Sequence, residues 1–495
     1  MKWARATFAV LITFVSGCAV GPDFKQPDAP TGDRYTSALL TSKTASAPVH
    51  GGAAQHFVEG KDVPAQWWTL FGSPALDELI ESALKQNPNL QAAEAALRVA
   101  QENVAAQRGS YFPSVDAHLM PTRQKVADIL SSPLADGSTL YTLHTAQLNI
   151  TYMPDVFGAN RRQVESLISQ ADAQDFQRDA AYLTLISNIA AAAIQEASLR
   201  AQIKAARDII ALSEKQLALM KKHQQSGQIG VAEIASQEAA LAQAQMVLPP
   251  LEKQLAQQRD LLAVLAGRFP SEDLVQKFEL STLTLPEELP LSLPSRLVEQ
   301  RPDIRAAEAQ WHAACAQIGV AKANRFPNLT LTASAGSTAL DFSKLFTSGT
   351  GFWGIGADLM QPIFRGGTLM HQQRAAEAAY DQAASQYRAT VLLAFQNVAD
   401  TLHAIATDAE ALRIAVAAER AAYKSLVTAR RQWEINNISY TAVLFSEQTY
   451  QQAVIALVQA QANRFADAVA LFQALGGGWL NRSETPGVGT RTDRL

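Results

Sequence analysis

Two cysteines are the most reactive side chains in this 495-residue sequence, and Cys18 alone stands in a motif with chemistry of its own. Val15-Ser16-Gly17-Cys18 follows Lys2, Arg5 and an apolar run from Ala6 to Val15. A short positive region, about ten apolar residues and small residues before a cleavage point make an export signal. With a cysteine at that point the motif resembles a lipobox, and the expectation is that the chain is cut before Cys18 and its sulfur receives a diacylglycerol. Lys2 and Arg5 then leave with the leader, taking the formal charge from −4 to −6. Ala19 stands where inner-membrane retention uses Asp, so outer-membrane sorting is expected. Cys315, left without a disulfide partner, reads as a small apolar residue on a helix face.

Other reactive constellations are thin. The sequence holds no His-Glu-x-x-His, no Cys-x-x-Cys and no Gly-Lys-Ser/Thr phosphate loop. Its eight His residues are scattered. His118 and His144 fall on segments that read as neighbouring strands, where a metal site is a weak alternative to none. Trp67-Trp68 reads as packing rather than a ligand cage. Gly476-Gly477-Gly478 lacks a preceding strand, so it is a helix stop and not a phosphate cradle. Enzymatic activity is not expected, nor any cofactor beyond the covalent lipid on Cys18. With 42 basic against 46 acidic residues, nucleic acid is not an expected partner. No run of 18 apolar residues predicts a membrane-crossing helix.

The elements that must position these residues come in duplicate. Asn87-Pro88 aligns with Arg301-Pro302, Ala92-Ala93-Glu94-Ala95 with Ala306-Ala307-Glu308-Ala309, and Phe112-Pro113 with Phe326-Pro327, all in one register. After each Phe-Pro the pattern alternates. Val115, Ala117 and Leu119 match Leu329, Leu331 and Ala333, with polar residues between. A second alternating segment follows in each half: Ala146, Leu148, Ile150, Tyr152 and then Trp353, Ile355, Ala357, Leu359. Period two predicts strands with one apolar and one polar face.

Turn signals at Asp155–Gly158 and Pro362–Gly367 close each pair. Stretches free of Gly and Pro follow, from Ala159 to Ser226 and from Thr368 to Ile435. Each predicts one helix of roughly 100 Å at 1.5 Å per residue. Ser226-Gly227-Gln228 and Asn436-Asn437 then turn the chain, with residues that accept the left-handed conformation. Return helices lead to Ala266-Gly267 and to Leu475-Gly476-Gly477-Gly478-Trp479, the first kinked or restarted at Pro249-Pro250. The Pro-rich stretch from Pro270 to Pro294 joins the halves, with room for one short strand.

Four strands of about 9–11 residues suit a bilayer but cannot close a barrel, for which about eight is the minimum. Their edges must pair with further copies, two giving eight strands and three giving twelve.

Taken together these residues resemble the TolC-like outer-membrane efflux factors, and within them the lipoprotein branch of OprM and NodT type. The likeness rests on Cys18-Ala19-Val20-Gly21-Pro22-Asp23-Phe24 with Pro27; Trp67-Trp68 with Phe71, Leu76 and Leu79; Asn87-Pro88; Arg301-Pro302-Asp303; Phe326-Pro327; and Ala474-Leu475-Gly476-Gly477-Gly478-Trp479. It covers about residues 18–480. The resemblance implies a mainly α fold with a transmembrane β-barrel: a homotrimer whose 12-strand barrel continues into a 12-helix periplasmic α-barrel. It implies a passive exit duct for drugs or other small toxic molecules. The tip at Gly227, Gln228, Asn436 and Asn437 would meet a periplasmic adaptor (membrane fusion) protein, and the adaptor an inner-membrane pump of resistance-nodulation-division type. The family closes its periplasmic end with acids after each turn. Glu233 matches in the first half, while Val443 and Ser446 stand where the second-half Asp pair is expected, so these three are the candidate gate positions. Glu447, next along, would point about 100° away from Ser446.

The expected organisation is a signal peptide at 1–17, a lipidated N-terminal segment at 18–70, repeats at 71–270 and 296–480 around a linker at 271–295, and a disordered tail at 481–495. A duct for protein secretion is the near alternative. A coiled-coil scaffold lipoprotein is the distant one, and it would lack the paired strands.

Overall fold

Residues that alternate between apolar and polar form strands, and the stretches without Gly or Pro form helices. The computed structural model describes residues 19–30, 32, 34–37, 41–130, 134, 137–227, 229–435 and 437–481. The leader, Cys18, Gln228, Asn436 and residues 482–495 therefore lie outside the described residues. The chain divides into two units. One comprises Met1–Pro27, Ala96–Asp175 and Ala306–Arg388; the other comprises Asp28–Ala95, Phe176–Arg305 and Ala389–Leu495.

In chain order the helices are α1 (Pro74–Gln86), α2 (Pro88–Arg108), α3 (Ala159–Gln225), α4 (Val231–Met246), α5 (Leu248–Leu265), α6 (Pro294–Gln300), α7 (Pro302–Ala323), α8 (Thr368–Glu434) and α9 (Tyr440–Ala474). The strands are β1 (His56–Glu59), β2 (Ser114–Lys125), β3 (Leu140–Tyr152), β4 (Glu288–Leu291), β5 (Asn328–Ala339) and β6 (Gly351–Met360). The two long helices each hold 67 residues. The Pro249-Pro250 break falls as expected: α4 stops at Met246 and α5 restarts with the prolines in its first turn, where their missing N–H costs nothing.

Local signals start the helices. Asn87 Oδ1 accepts the N–H groups of Asn89 (2.9 Å) and Leu90 (3.3 Å), capping α2. Asp155 does the same for α3, its two oxygens accepting from Asn160 N (3.0 Å) and Arg161 N (2.8 Å).

The first unit holds an antiparallel sheet in the order β2-β3-β5-β6. Its central junction, β3 with β5, joins one half of the repeat to the other. The second unit holds the short parallel pair β1-β4. It also holds an aromatic core in which Trp67 and Phe71 are fully buried, the Trp67 ring lying 5.2 Å from that of Phe472. Trp67-Trp68 is thus packing, as its sequence suggested. The glycine triplet closes α9 tightly. A Cβ on Gly476 would lie 2.1 Å from Gln300 O, and one on Gly478 2.4 Å from Val63 O. Asn481, placed in the expected tail, sits in a 3₁₀ turn and donates its amide to Val63 O at 2.9 Å.

Candidate functional site

The sheet has one mainly apolar and one mainly polar face. Val115 pairs with Ile150, Leu148 with Ala335 and Leu329 with Leu359, so most apolar residues of the four strands share one side. Trp353, Ile355 and Leu359 are 77%, 80% and 68% exposed on that side. A contiguous apolar surface of this kind marks contact with lipid or protein rather than water. The opposite side carries Asp116, His118, Gln147, Asn149, Ser334 and Asp358, and no Lys or Arg from any strand. Arg123 and Lys125 share the apolar side, at the C-terminal end of β2. Strands β2 and β6 are the edges, each with one flank unpaired within the sheet.

This register corrects the histidine expectation. His118 opposes Gln147, whereas His144 opposes Pro121, three residues along. An odd offset puts two side chains on opposite faces. His118 and His144 cannot share a metal, and among the described residues no group of three metal-ligating side chains occurs.

The segment after Cys18 is strapped to the first unit. Val20 N donates to Phe157 O at 3.1 Å. The Asp23 carboxylate meets Arg162 at 2.6 Å, and Arg162 also binds Glu165 at 2.7 Å. Phe24 stacks on His312 with centroids 4.6 Å apart and meets Trp311 edge-on at 5.4 Å. Glycines make the close approach feasible. Gly21, at φ +120°, lies so near Gly319 that a Cβ would come within 2.5 Å of its Cα. Gly158, at φ +77°, abuts Ala19 where β3 gives way to α3. Each of Val20-Gly21-Pro22-Asp23-Phe24 thus has a defined neighbour, Pro22 accepting a weak Cys315 Sγ contact at 3.7 Å. Cys315 is buried, and burial raises its thiol pKa, consistent with a packing role.

The hairpin ends lie in the second unit. Gly227 takes the left-handed conformation at φ +75° and donates to Gln224 O at 2.8 Å. The Asn437 N–H reaches back to Gln432 O at 2.9 Å, closing α8. Glu233 is the third residue of α4, and its carboxylate accepts from Gly230 N at 2.9 Å. It therefore has a capping duty. Val443 is fully buried with Met220, Ile234, Ala429 and Tyr440, and Ser446 is buried with its hydroxyl bonded to Ala442 O at 3.0 Å. In the single chain neither presents its side chain to an opening. Their apolar and small character fits the inner face of α9.

Residues not singled out from sequence do the joining here. The Tyr440 hydroxyl donates to Gln237 Oε1, and Gln237 Nε2 donates to Ser213 O at 3.2 Å, tying α9 to α4 and α3. Burial raises the Tyr440 pKa, helped by Glu447, so it stays a neutral donor. Arg430 and Glu447 pair at 2.7 Å across the α8–α9 turn, both largely buried. Ile234 and Gln237 at spacing three were the readable signal for one inward face; the Arg430–Glu447 pair left none.

The sequence profile described as outer membrane efflux protein matches residues 79–268 and 293–477, one block per repeat. The probable efflux pump outer membrane protein TtgC of Pseudomonas putida is 29% identical over 487 residues, 98% of this chain and 97% of that protein. The pyoverdine export outer membrane protein OpmQ of Pseudomonas aeruginosa is 31% identical over 424 residues, 84% of this chain and 87% of its own. Among solved structures, the outer-membrane channel OprN superposes with a TM-score of 0.83 at 26% identity, over 93% of this chain and all of that one. The outer membrane protein VceC of Vibrio cholerae gives 0.78 at 28%, over 84% of this chain and all of VceC.

Proposed function

This chain belongs to the outer membrane efflux protein family, and we propose that three copies form the exit duct of a tripartite efflux pump, conducting small toxic molecules passively out of the cell. The open four-stranded sheet carries the reading. In lipid each unpaired backbone group of an edge costs several kcal/mol, so β2 and β6 must meet other copies. Three chains supply twelve strands, with apolar sides toward lipid and polar sides around water. The coiled-coil scaffold alternative has no use for such strands.

The helices extend the wall through the periplasm in this reading. The turns at Gly227, Gln228, Asn436 and Asn437 form the far tip and meet a periplasmic adaptor, which links the duct to an inner-membrane pump of resistance-nodulation-division type. The Tyr440–Gln237–Ser213 bonds hold the hairpins together at rest. They stand in for the acid pair that Val443 and Ser446 lack. Cys18 carries a lipid. Its neighbour Ala19 sits against Gly158 at the sheet-to-helix junction, a position from which an acyl chain reaches the bilayer directly.

The test is purification of the full chain from outer membranes. The expected result is a heat-modifiable trimer that conducts in planar bilayers, with palmitate label lost in Cys18→Ser. A monomer without conductance overturns the reading.

A further inference from the structure

The duplication makes the missing contact between copies readable. Val115 opposes Ile150 in the first hairpin as Leu329 opposes Leu359 in the second, so the hairpins superpose with Val115 on Leu329 and Ile150 on Leu359. Inside the chain, β3 of the first hairpin already pairs with β5 of the second, setting Ile150 against Ala333 and Asn149 against Ser334. Transferred through the repeat, β3 becomes β6 and β5 becomes the β2 of another copy. Ile150 maps to Leu359 and Ala333 to Leu119; Asn149 maps to Asp358 and Ser334 to Met120.

We propose that β6 of one copy pairs antiparallel with β2 of the next in this register, opposing Leu359 to Leu119 on the apolar face and bringing Asp358 diagonal to His118 on the polar face. The inference rests on the trimeric duct proposed above, and it adds which residues meet. Three observations favour it. The transferred register sets Leu359 on Leu119 and Ala357 on Pro121, meets the charged end of β2 only at Ile355 on Arg123 and Trp353 on Lys125, and keeps all polar-side residues together. A slip by one residue would mix the faces. β2 is exposed at every residue and β6 at all but Phe352 and Gly354, with Leu119 at 60% and Leu359 at 68%. His118 and Asp358 are exposed, and neither makes a salt bridge among the described residues. Diagonal neighbours on one face lie about 7–8 Å apart at Cα, within reach of an imidazole and a carboxylate. The His118 that cannot share a metal with His144 thus gains a carboxylate from the neighbouring copy. Pro121 has no N–H, so β2 makes one ladder bond fewer than its length allows.

The experiment is disulfide trapping in the full-length protein in outer membranes. Leu359→Cys is combined in turn with Ala117→Cys, Leu119→Cys and Pro121→Cys, then oxidised and run denatured. Opposed residues have Cβ atoms about 4.5–5.5 Å apart, while a slip of two residues moves them by about 7 Å. Linked species are expected chiefly for Leu119→Cys. Ile355→Cys with Arg123→Cys, opposed in the same register, gives a second reading if one pair disturbs assembly. Preferential linking at 117 or 121, or none in variants that still form heat-modifiable trimers, overturns the register. A wild-type protein that is not trimeric overturns the duct instead, and with it this seam. For the polar pair, His118→Gln and Asp358→Asn should each lower the temperature at which the trimer falls apart in detergent. The double variant should fall no further than either single one; additive losses overturn the contact.

Discussion

Tyr440→Phe isolates one oxygen atom at the hairpin ends. The ring stays, packed 5.1 Å from Trp433 in a cluster with Met220, Ile234 and Val443. What goes is the donor to Gln237 Oε1. Gln237 is itself fully buried and spends its amide N–H on Ser213 O, so its carbonyl is left without a partner. A buried acceptor stranded in this way costs about 1–3 kcal/mol. If spreading of α4 from α9 exposes Gln237 to water, that cost is paid only in the closed arrangement. The open fraction then rises by about 5- to 150-fold per copy. Two measurements check this: open probability of single channels in planar bilayers, and amide exchange across 231–246 and 440–446. Longer openings with faster exchange in both segments are expected. Unchanged openings beside faster exchange would mean that the bond stabilises the hairpins without controlling passage. No change in either would refute the reasoning at its first step.

Two further substitutions test other contacts. Burial, reinforced by Asp408 and opposed by Arg464, pushes the Asp467 carboxyl up to about 7, and its Oδ2 has no hydrogen-bond partner. An acid raised in the native state keeps its proton there while the unfolded chain loses it, so this site destabilises the fold progressively as pH rises from about 4 to about 7. Asp467→Asn should therefore raise the melting temperature at about pH 8, by a free energy of at most about 4 kcal/mol, with the gain vanishing near pH 4; a constant gain across the range would refute the titration. Gly319→Val tests the strap, because even a Cβ there would lie 2.7 Å from Arg162 Cγ and 2.9 Å from Val20 O. The expected outcome is a loss of about 1–3 kcal/mol and new protease cleavage after residue 18; an N-terminus as resistant as wild type would show that the segment is not held by this contact.

How much was legible follows from how local each signal is. The strands and the 67-residue helices declare themselves through period and through missing Gly and Pro, which any chain segment reports about itself. The break at Pro249-Pro250 and the left-handed Gly227 are equally local. The relation of His118 to His144 is not. It depends on the β2–β3 register, and the connection between Lys125 and Leu140 is long enough to allow either parity. The surroundings of the candidate gate positions are hidden from sequence for the same reason. Sequence alignment fixes where Val443 and Ser446 stand along α9 but not which side of the helix turns toward Met220 and Ile234. Glu233 has a local duty as the acceptor of Gly230 N, and it was read only for its charge.

In the proposed duct, duplication explains why the chain shares its sheet. Each half contributes a hairpin, and fusing two halves creates one new junction, β3 with β5, while leaving an edge on either side. Adding hairpins in a row never removes those edges; only closure does. Closure needs curvature, and glycines in β5 and β6 are placed to supply it. Gly336, Gly354 and Gly356 all fall on the polar side, beside Thr332 and Ser334, whereas Leu359, Ile355 and Trp353 occupy the other. A Cβ at Gly336 would come within 2.4 Å of Ala146 O, so that position tolerates nothing larger. Glycines at defined positions are the usual means of bending a sheet. In the proposed duct the polar side would be the concave one, and the same glycines that let the sheet bend would leave room for water inside it.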